Sequence, residues 1–529
     1  MCAYVGWTGS CRETSVYVNA NFRLGGQMTA SAVSALDFGA NRDARFQSKS
    51  FRALMRALGA PANPGVCWVS TMCYEPLDLL HAFIEPTVAA LPNLRVFYRT
   101  VVTATEPCAD TARTICALEA VSRRPTTGGG AAGWGKLLSE TVEDWYSPSP
   151  SPDFDKTTLR LQGRVFIDAT EFGDVLVTGA ASRLRLPLMQ GIEEPHELSP
   201  ESDDQCGQAA TLTFYMGLRN NTPRPPDPPV PPGGTAGRIP FDIPGSKPWT
   251  WDQIWTYRRA KIGPDTAHSA WGLPGVGDVT QQNWGGGNDL DNAYVFRALS
   301  DAVWSAEHGR WSGGLNLTAV SMLEQRAFGW YHYFKQHWNQ SKSSRLPGAS
   351  VFLDRVSTGT RTGLAKMPYL RDTRRSVGLD GYRLPYTNIS NAASSSPEGV
   401  HFPDAVAIGS YGHDTHVLSS CPAPGYLNAP KSKPYYIPMR ALTNDGADNL
   451  LVCGKTMATT FSANSATRLH PVEWSSGVAA GAAATLLSGD GMRSPQYTTT
   501  RALTDGPGLT SLLQLLRSSD IQQPLDWSD

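Results

Sequence analysis

The sequence predicts an α/β fold, and three stretches carry that prediction. Leu450, Leu451, Val452 and Cys453 form a short apolar run closed by Gly454, the pattern of a parallel strand buried on both faces. After a long polar loop, Pro471 stands where a helix begins, since its missing N–H costs nothing in a first turn. Gly477, Ala479, Ala480, Gly481, Ala482, Ala483 and Ala484 then strip that helix of side-chain bulk, so it can lie close to a strand or a ligand. Tight packing alone also accounts for such a helix. The third stretch, VFIDAT, reads as another buried strand over 165–167, with Asp168, Ala169 and Thr170 at its carboxyl end. Open α/β sheets place ligands at that end.

The other elements follow in chain order. Val16, Tyr17 and Val18 read as a strand, and Gly25-Gly26 as the turn after it. Residues 50–59 have the apolar spacing of a short helix, stopped by Gly59 and Pro61. Helical periodicity resumes over 77–91, and the β-branched alternation of 94–107 predicts a strand or hairpin. Residues 123–155 are rich in Pro, Gly and Ser and read as an exposed insertion, as does the proline-rich run 222–237. A long helix is expected over 317–338, within an aromatic-rich region whose rings belong mainly to a core.

Composition narrows the function. A chain of 529 residues with 41% hydrophobic content can build two or more domains. A formal net charge of -1 argues against a nucleic-acid or anionic-membrane surface as the main business of the chain. No apolar run approaches the roughly 20 residues that span a bilayer, so a soluble protein is expected. The first residues lack a basic flank followed by an apolar core, so no signal peptide is visible and a cytoplasmic location is the default, with secretion following if the true N-terminus lies upstream. The nine cysteines contain no CxxC pair, and their odd number speaks against a fully paired disulfide framework. Four N-x-S/T sites, at Asn220, Asn316, Asn339 and Asn388, carry little information in a chain rich in these residues.

Five blocks, FRLGGQMTASAVSALD, NPGVCWVSTMCYEP, VFIDATEFGD, PYLRDTRRSVG and PYYIPMRAL joined to residues 449–487, together with FPDAVAIGSYGHDTH, are similar in order and spacing to the FAD-dependent oxidoreductases of the glutathione-reductase-type flavoprotein architecture. The resemblance implies a Rossmann-like FAD-binding domain assembled from discontinuous segments, with a mixed α+β substrate domain inserted. The corresponding divisions are a partial FAD segment at 1–60, connecting helices, strands and an insertion at 61–160, a return to the FAD domain at 161–185, the substrate domain at 186–430, and a closing FAD segment with a tail at 431–529. It implies an FAD cofactor held by Gly25, Gly26, Gln27, Val102, Asp168, Ala169, Thr170, Gly454, Arg468, Pro471 and Val472, with Val101 and Val102 using backbone groups toward adenine. Asp168 is equally a candidate helix cap.

The helix opening at Pro471 would point its positive end at the flavin. Arg468 and His470 flank it and, with His416, are the candidates for catalysis; a fold-internal salt bridge and a helix cap compete for the first two. His413 and His416 have i, i+3 spacing without further metal ligands nearby, so no metal site is expected. Arg371, Arg374 and Arg375 could hold a carboxylate or phosphates, or form a surface ion-pair network with Asp372, and Asp289 is a possible substrate anchor.

One departure stands out. Only fourteen residues precede SVYVN, too few for the strand, GxGxxG turn and helix of roughly 30 residues that open the family pattern; Gly6 and Gly9 give GxxG at best. Asn19 falls where relatives carry a ribose-binding Glu. The expectation is an N-terminally truncated chain. Three functional readings follow: an FAD-dependent oxidoreductase acting on a small organic substrate by hydride transfer to flavin, a non-catalytic or cofactor-deficient relative serving as a binding or structural protein, and a carbohydrate-active hydrolase suggested by the Trp-rich middle.

Overall fold

In the computed structural model the described residues are 15–38, 46–60, 62–126, 135–192, 203–220, 226–235, 249–390, 397–421, 430–489 and 496–528. Gly6, Gly9, Cys2, Cys11 and parts of both Pro/Gly-rich runs lie outside them.

Strand β1 (Ser15–Val18) runs parallel to β2 (Leu94–Phe97), with Ser15 opposite Leu94 and Val18 opposite Phe97. Between them, helix α1 (Lys49–Ala57) starts where the Ser48 hydroxyl accepts the Phe51 N–H, and it buries Phe51, Leu54 and Met55. The helix expected after residue 77 is present but contains a π turn, Leu80–Ile84. Pro86, the second residue after it, cannot donate to a regular ladder, which accounts for the irregularity. The strand pattern of 94–107 divides at Arg99, whose φ is 53°, so its two halves enter different sheets. The second half, β3 (Thr100–Pro107), forms an antiparallel meander with β4 (Ile115–Pro125) and β5 (Phe154–Gln162).

The exposed insertion expected over 123–155 is corrected here. It contains α2 (Leu138–Tyr146), which buries Leu138, Val142, Trp145 and Tyr146, and β5 begins inside it. An apolar face at i, i+4 and i+7 was hidden by its Gly/Pro/Ser surroundings.

Strand β6 (Phe166–Asp168) leads into α3 (Asp174–Ala181). The chain then builds an antiparallel sheet in which β7 (Phe214–Asn220) is central. Around it the order is β8 (Arg259–Lys261), β9 (Val279–Gln282), β7, β10 (Ala349–Asp354). Helix α4 (Leu317–Gln336) packs with this sheet, and Trp251, Trp255 and Phe334 stack in the core beneath it. Last, β11 (Ala447–Val452) returns beside β6 in parallel, Leu450 opposite Phe166 and Val452 opposite Asp168. The polar loop expected after it contains a buried helix, α5 (Phe461–Thr467), before α6 (His470–Ser488) begins with Pro471 in its first turn. Small polar residues such as Ser462, Asn464 and Ser465 concealed α5, since their burial depends on partners far along the chain.

The result is a mixed α/β fold with two separate parallel ladders, β1–β2 and β6–β11, that share no paired residues among those described. No helix among the described residues is long and apolar enough to cross a membrane. Among the described residues, the disulfides Cys67–Cys73, Cys108–Cys116 and Cys206–Cys421 fasten distant or looped segments.

Cys206–Cys421 closes a separation of 215 residues. Replacing both cysteines by Ser is expected to lower unfolding stability by about 3–5 kcal/mol, because the unfolded chain regains the entropy of that large loop. Urea unfolding of the double variant beside the parent measures this.

Candidate cofactor cavity and its polar neighbour

A cavity of about 810 Å³ opens at the carboxyl ends of β1, β6 and β11 and runs down between the edges of β1 and β6. The loop after β1 contributes Asn19, Asn21, Gly26 and Gln27; the loop after β6 contributes Ala169, Thr170 and Glu171; the turn after β11 contributes Gly454 and Lys455. Gly481 and Ala484 of α6 give one wall almost no side-chain depth. Gly25 has φ 112°, and a Cβ there would stand 2.5 Å from Thr29 Oγ1, so this turn requires glycine. Gly26 (φ 52°) has open space where its Cβ would point, with Glu171 Oε1 nearest at 3.9 Å.

Of the residues expected at the cofactor, Gly26, Gln27, Val102, Ala169, Thr170 and Gly454 line the cavity; Gly25, Asp168, Arg468, Pro471 and Val472 do not. Asp168 is fully buried and works within the fold: Oδ1 accepts from the Thr170 N–H and hydroxyl, and Oδ2 from the Leu176 N–H at 3.0 Å. Pro471 and Val472 are buried in the first turn of α6, and Glu473 of that turn reaches the cavity instead.

The charged feature of the cavity is Lys455, whose side chain is 4% exposed. Its ammonium lies 3.0 Å from Glu171 and 3.4 Å from Glu473. Burial opposes its charge, but the two carboxylates outweigh burial and hold it protonated well above the ordinary lysine range. Burial, and then Glu171, push the Glu473 carboxyl upward against the pull of Lys455. Gln27 donates to Glu473 Oε2 (2.7 Å) and to the Arg468 carbonyl (3.2 Å), and its own Oε1 is buried without a partner. Asn21 Oδ1 is likewise unpartnered.

Arg468 links this cavity to a second polar cluster. Its guanidinium donates to Asp414 Oδ2 at 2.8 Å and to the Tyr369 hydroxyl. His416 sits between two carboxylates, Nε2 at 3.1 Å from Asp414 and Nδ1 at 3.3 Å from Asp289. Arg371 pairs with Asp289 at 2.9 Å. Burial would raise the Asp289 carboxyl, yet Arg371 and His416 hold it well below the carboxylate range. His470 is buried, its Nε2 3.1 Å from the Val33 carbonyl. Burial first, then Lys455 and Arg468, push its imidazole down to about 3 despite that bond.

Arg374 and Arg375 were expected in a phosphate site or a surface network. Both are fully buried and spend their guanidinium groups on backbone carbonyls, Arg374 on Phe172, Gly313 and Gly314, Arg375 on Gly191 and Thr459. Asp372 is buried too, bonded to the Tyr294 hydroxyl and the Gln208 N–H. Among the described residues no group of three or more His, Cys, Asp or Glu is arranged to hold a metal ion.

Residues 153–503 match the family model described as FAD dependent oxidoreductase. The chain belongs to the FAD-dependent oxidoreductase family. No curated protein matches it. The matched region of this oxidoreductase contains β6, α3, the β7–β10 sheet, β11 and α6, and with them every residue of the Lys455 and His416 clusters.

Unpartnered acceptors at Asn21 and Gln27 suit ribose hydroxyls and ring N–H groups. Among the described residues, no glycine-rich strand-to-helix turn stands between β1 and β6 to cradle a pyrophosphate. Sequence reading missed Lys455, Glu171, Glu473 and Asn21. The available signal was charge out of place: a Lys directly after the glycine closing a buried strand, and a lone Glu opening a helix of small residues.

Because His470 is neutral in the fold until about pH 3 and titrates near 6.5 when unfolded, the unfolded state binds the extra proton between those values. Stability contributed by neutral His470 is therefore expected to fall as pH drops from about 6.5 toward 3. Asp174 and Asp372, raised to about 7 and about 6 by burial, act in the opposite sense, so the comparison must be made against the parent. His470→Gln should flatten the acid slope by up to a few kcal/mol, read by urea unfolding at stepped pH.

Proposed function

We propose that the chain binds FAD in the cavity between β1 and β6 and oxidises or reduces a small organic substrate presented from the Asp414–His416 side by hydride transfer. The observation that carries this reading is the convergence of β1, β6 and β11 on one cavity whose last wall is the small-residue helix α6. The two parallel ladders are read as parts of one doubly wound, Rossmann-like sheet, with the β7–β10 sheet as the substrate domain. FAD, when bound, supplies the two-electron acceptor or donor.

This chain's own residues bind and orient. The backbone at Val102 and the amides of Asn19 and Asn21 would hold the adenosine end. Gly454, Lys455 and the first turn of α6 would face the electron-rich flavin end, where a buried ammonium and a helix N-terminus stabilise negative charge. Arg468 joins the two sides: its carbonyl holds Gln27 in the cavity wall while its guanidinium fixes Asp414 beside His416. The disulfides among the described residues support an oxidising compartment over the cytoplasmic default.

Titrating the purified chain with FAD, followed by the visible flavin spectrum, tests the reading. Binding is expected, and Lys455→Met should weaken it about tenfold or more, the loss of one charge-assisted contact of roughly 1.4 kcal/mol. Colourless protein that leaves the FAD spectrum unchanged would overturn the proposal.

A further inference from the structure

Five aromatic rings run from the surface toward the His416 cluster. Trp271, on an exposed loop, is 65% exposed although one face is stacked on Trp68 (centroids 4.3 Å apart, planes 27° apart). Its opposite face is therefore turned to water. Trp68, half-buried, continues to the half-buried Trp249 and Tyr257 at 4.7 and 4.6 Å, and both of these pack on Trp284, which is buried in the core, at 5.5 and 5.1 Å. Immediately after Trp284 come Gly285, Gly286 and Gly287. Gly285 is exposed, and a Cβ on it would stand 3.9 Å from both His416 Nδ1 and Asp289 Oδ2. Bare backbone thus borders the polar cluster where the aromatic strip ends.

A ligand that uses both parts needs a flat apolar face for the rings and uncharged groups that both donate and accept hydrogen bonds. The cations nearby are committed. Arg258 lies over Tyr257 and Trp284 and donates to the Asn283 carbonyl, and Arg371 is tied to Asp289 and the Ala209 carbonyl. The groups left facing solvent are the Asp414 carboxylate (41% exposed) and the His416 imidazole (29%), whereas Arg371 and Arg468 are at 4% and 2%. Among the described residues that line the strip's end, phosphate-bearing ligands meet the Asp414 carboxylate, while Arg258, Arg371 and Arg468 are already engaged. Vicinal hydroxyls on a ring with an apolar face match both halves.

We propose that the exposed Trp271 and the half-buried Trp68, Trp249 and Tyr257 beside it form a binding platform for a neutral saccharide chain, which leads past Gly285 to His416, with the buried Trp284 packed against Trp249 and Tyr257. As the substrate class, this rests on the flavoenzyme reading; as a binding site, it stands without it. The test therefore uses the full chain with no FAD added. Cellohexaose, xylohexaose, chitohexaose and maltohexaose serve as probes, with binding read by calorimetry and by tryptophan fluorescence.

At least one probe is expected to bind, with Trp271→Ala weakening it tenfold or more. Trp304→Ala removes an exposed indole stacked on His308 outside the strip and is expected to leave binding unchanged. Absence of binding by all four probes at millimolar concentration, equal binding by Trp271→Ala, or preference for a single-stranded oligonucleotide over every sugar would overturn the proposal. Failure of FAD binding with the sugar result intact would leave the platform standing and remove only the flavoenzyme reading.

Discussion

Thr456 and Asp168 lie 288 residues apart and are joined by a 2.8 Å hydrogen bond from hydroxyl to carbonyl. The same Asp168 carbonyl takes the Cys453 N–H at 3.1 Å, while the carboxylate organises the start of α3. This fastening of β6 to β11 sets the loop carrying Glu171 against the turn carrying Lys455. The Lys455–Glu171–Glu473 cluster exists only because those two ends meet. Burial pushes the Asp168 carboxyl up, and its bonds to Thr170 and Leu176 counter that, so loss of either set leaves a buried polar group unmet.

A second constraint is the use of arginine inside the molecule. Arg374 and Arg375 hold carbonyls from segments that no ladder pairs, including the loops at Phe172, Gly191 and Gly313. Such fork-shaped donors satisfy several backbone acceptors at once where the chain is irregular. Arg371 and Arg468 differ because each also meets a carboxylate, and those two carboxylates frame His416.

Much of the scaffold was legible because local pattern decides it. Apolar runs fixed β1, β6 and β11, Pro471 and the Gly/Ala run fixed α6, and the Gly25-Gly26 turn followed from its position after a strand. The hidden parts are those whose signal is non-local. Helix α2 shows four apolar residues among polar neighbours, α5 is buried by partners rather than by its own hydrophobicity, and disulfide pairing depends on which loops meet. At the site, glycines and small residues were readable, but Lys455 becomes meaningful only beside carboxylates 284 residues upstream and eighteen downstream. Asp168 stood out in the sequence as a cofactor contact or a helix cap, and in the fold its carboxylate accepts from Thr170 and Leu176.

The order in which the chain leaves the ribosome gives the β6–β11 pairing a further meaning. β6 is made early, whereas its parallel partner emerges only after the whole β7–β10 sheet has been synthesised. Through that interval the apolar residues Phe166 and Ile167 lack the strand that will cover them. The nascent protein therefore carries an open strand edge for most of its synthesis, a natural client for chaperones and a point where neighbouring nascent chains could stick to one another.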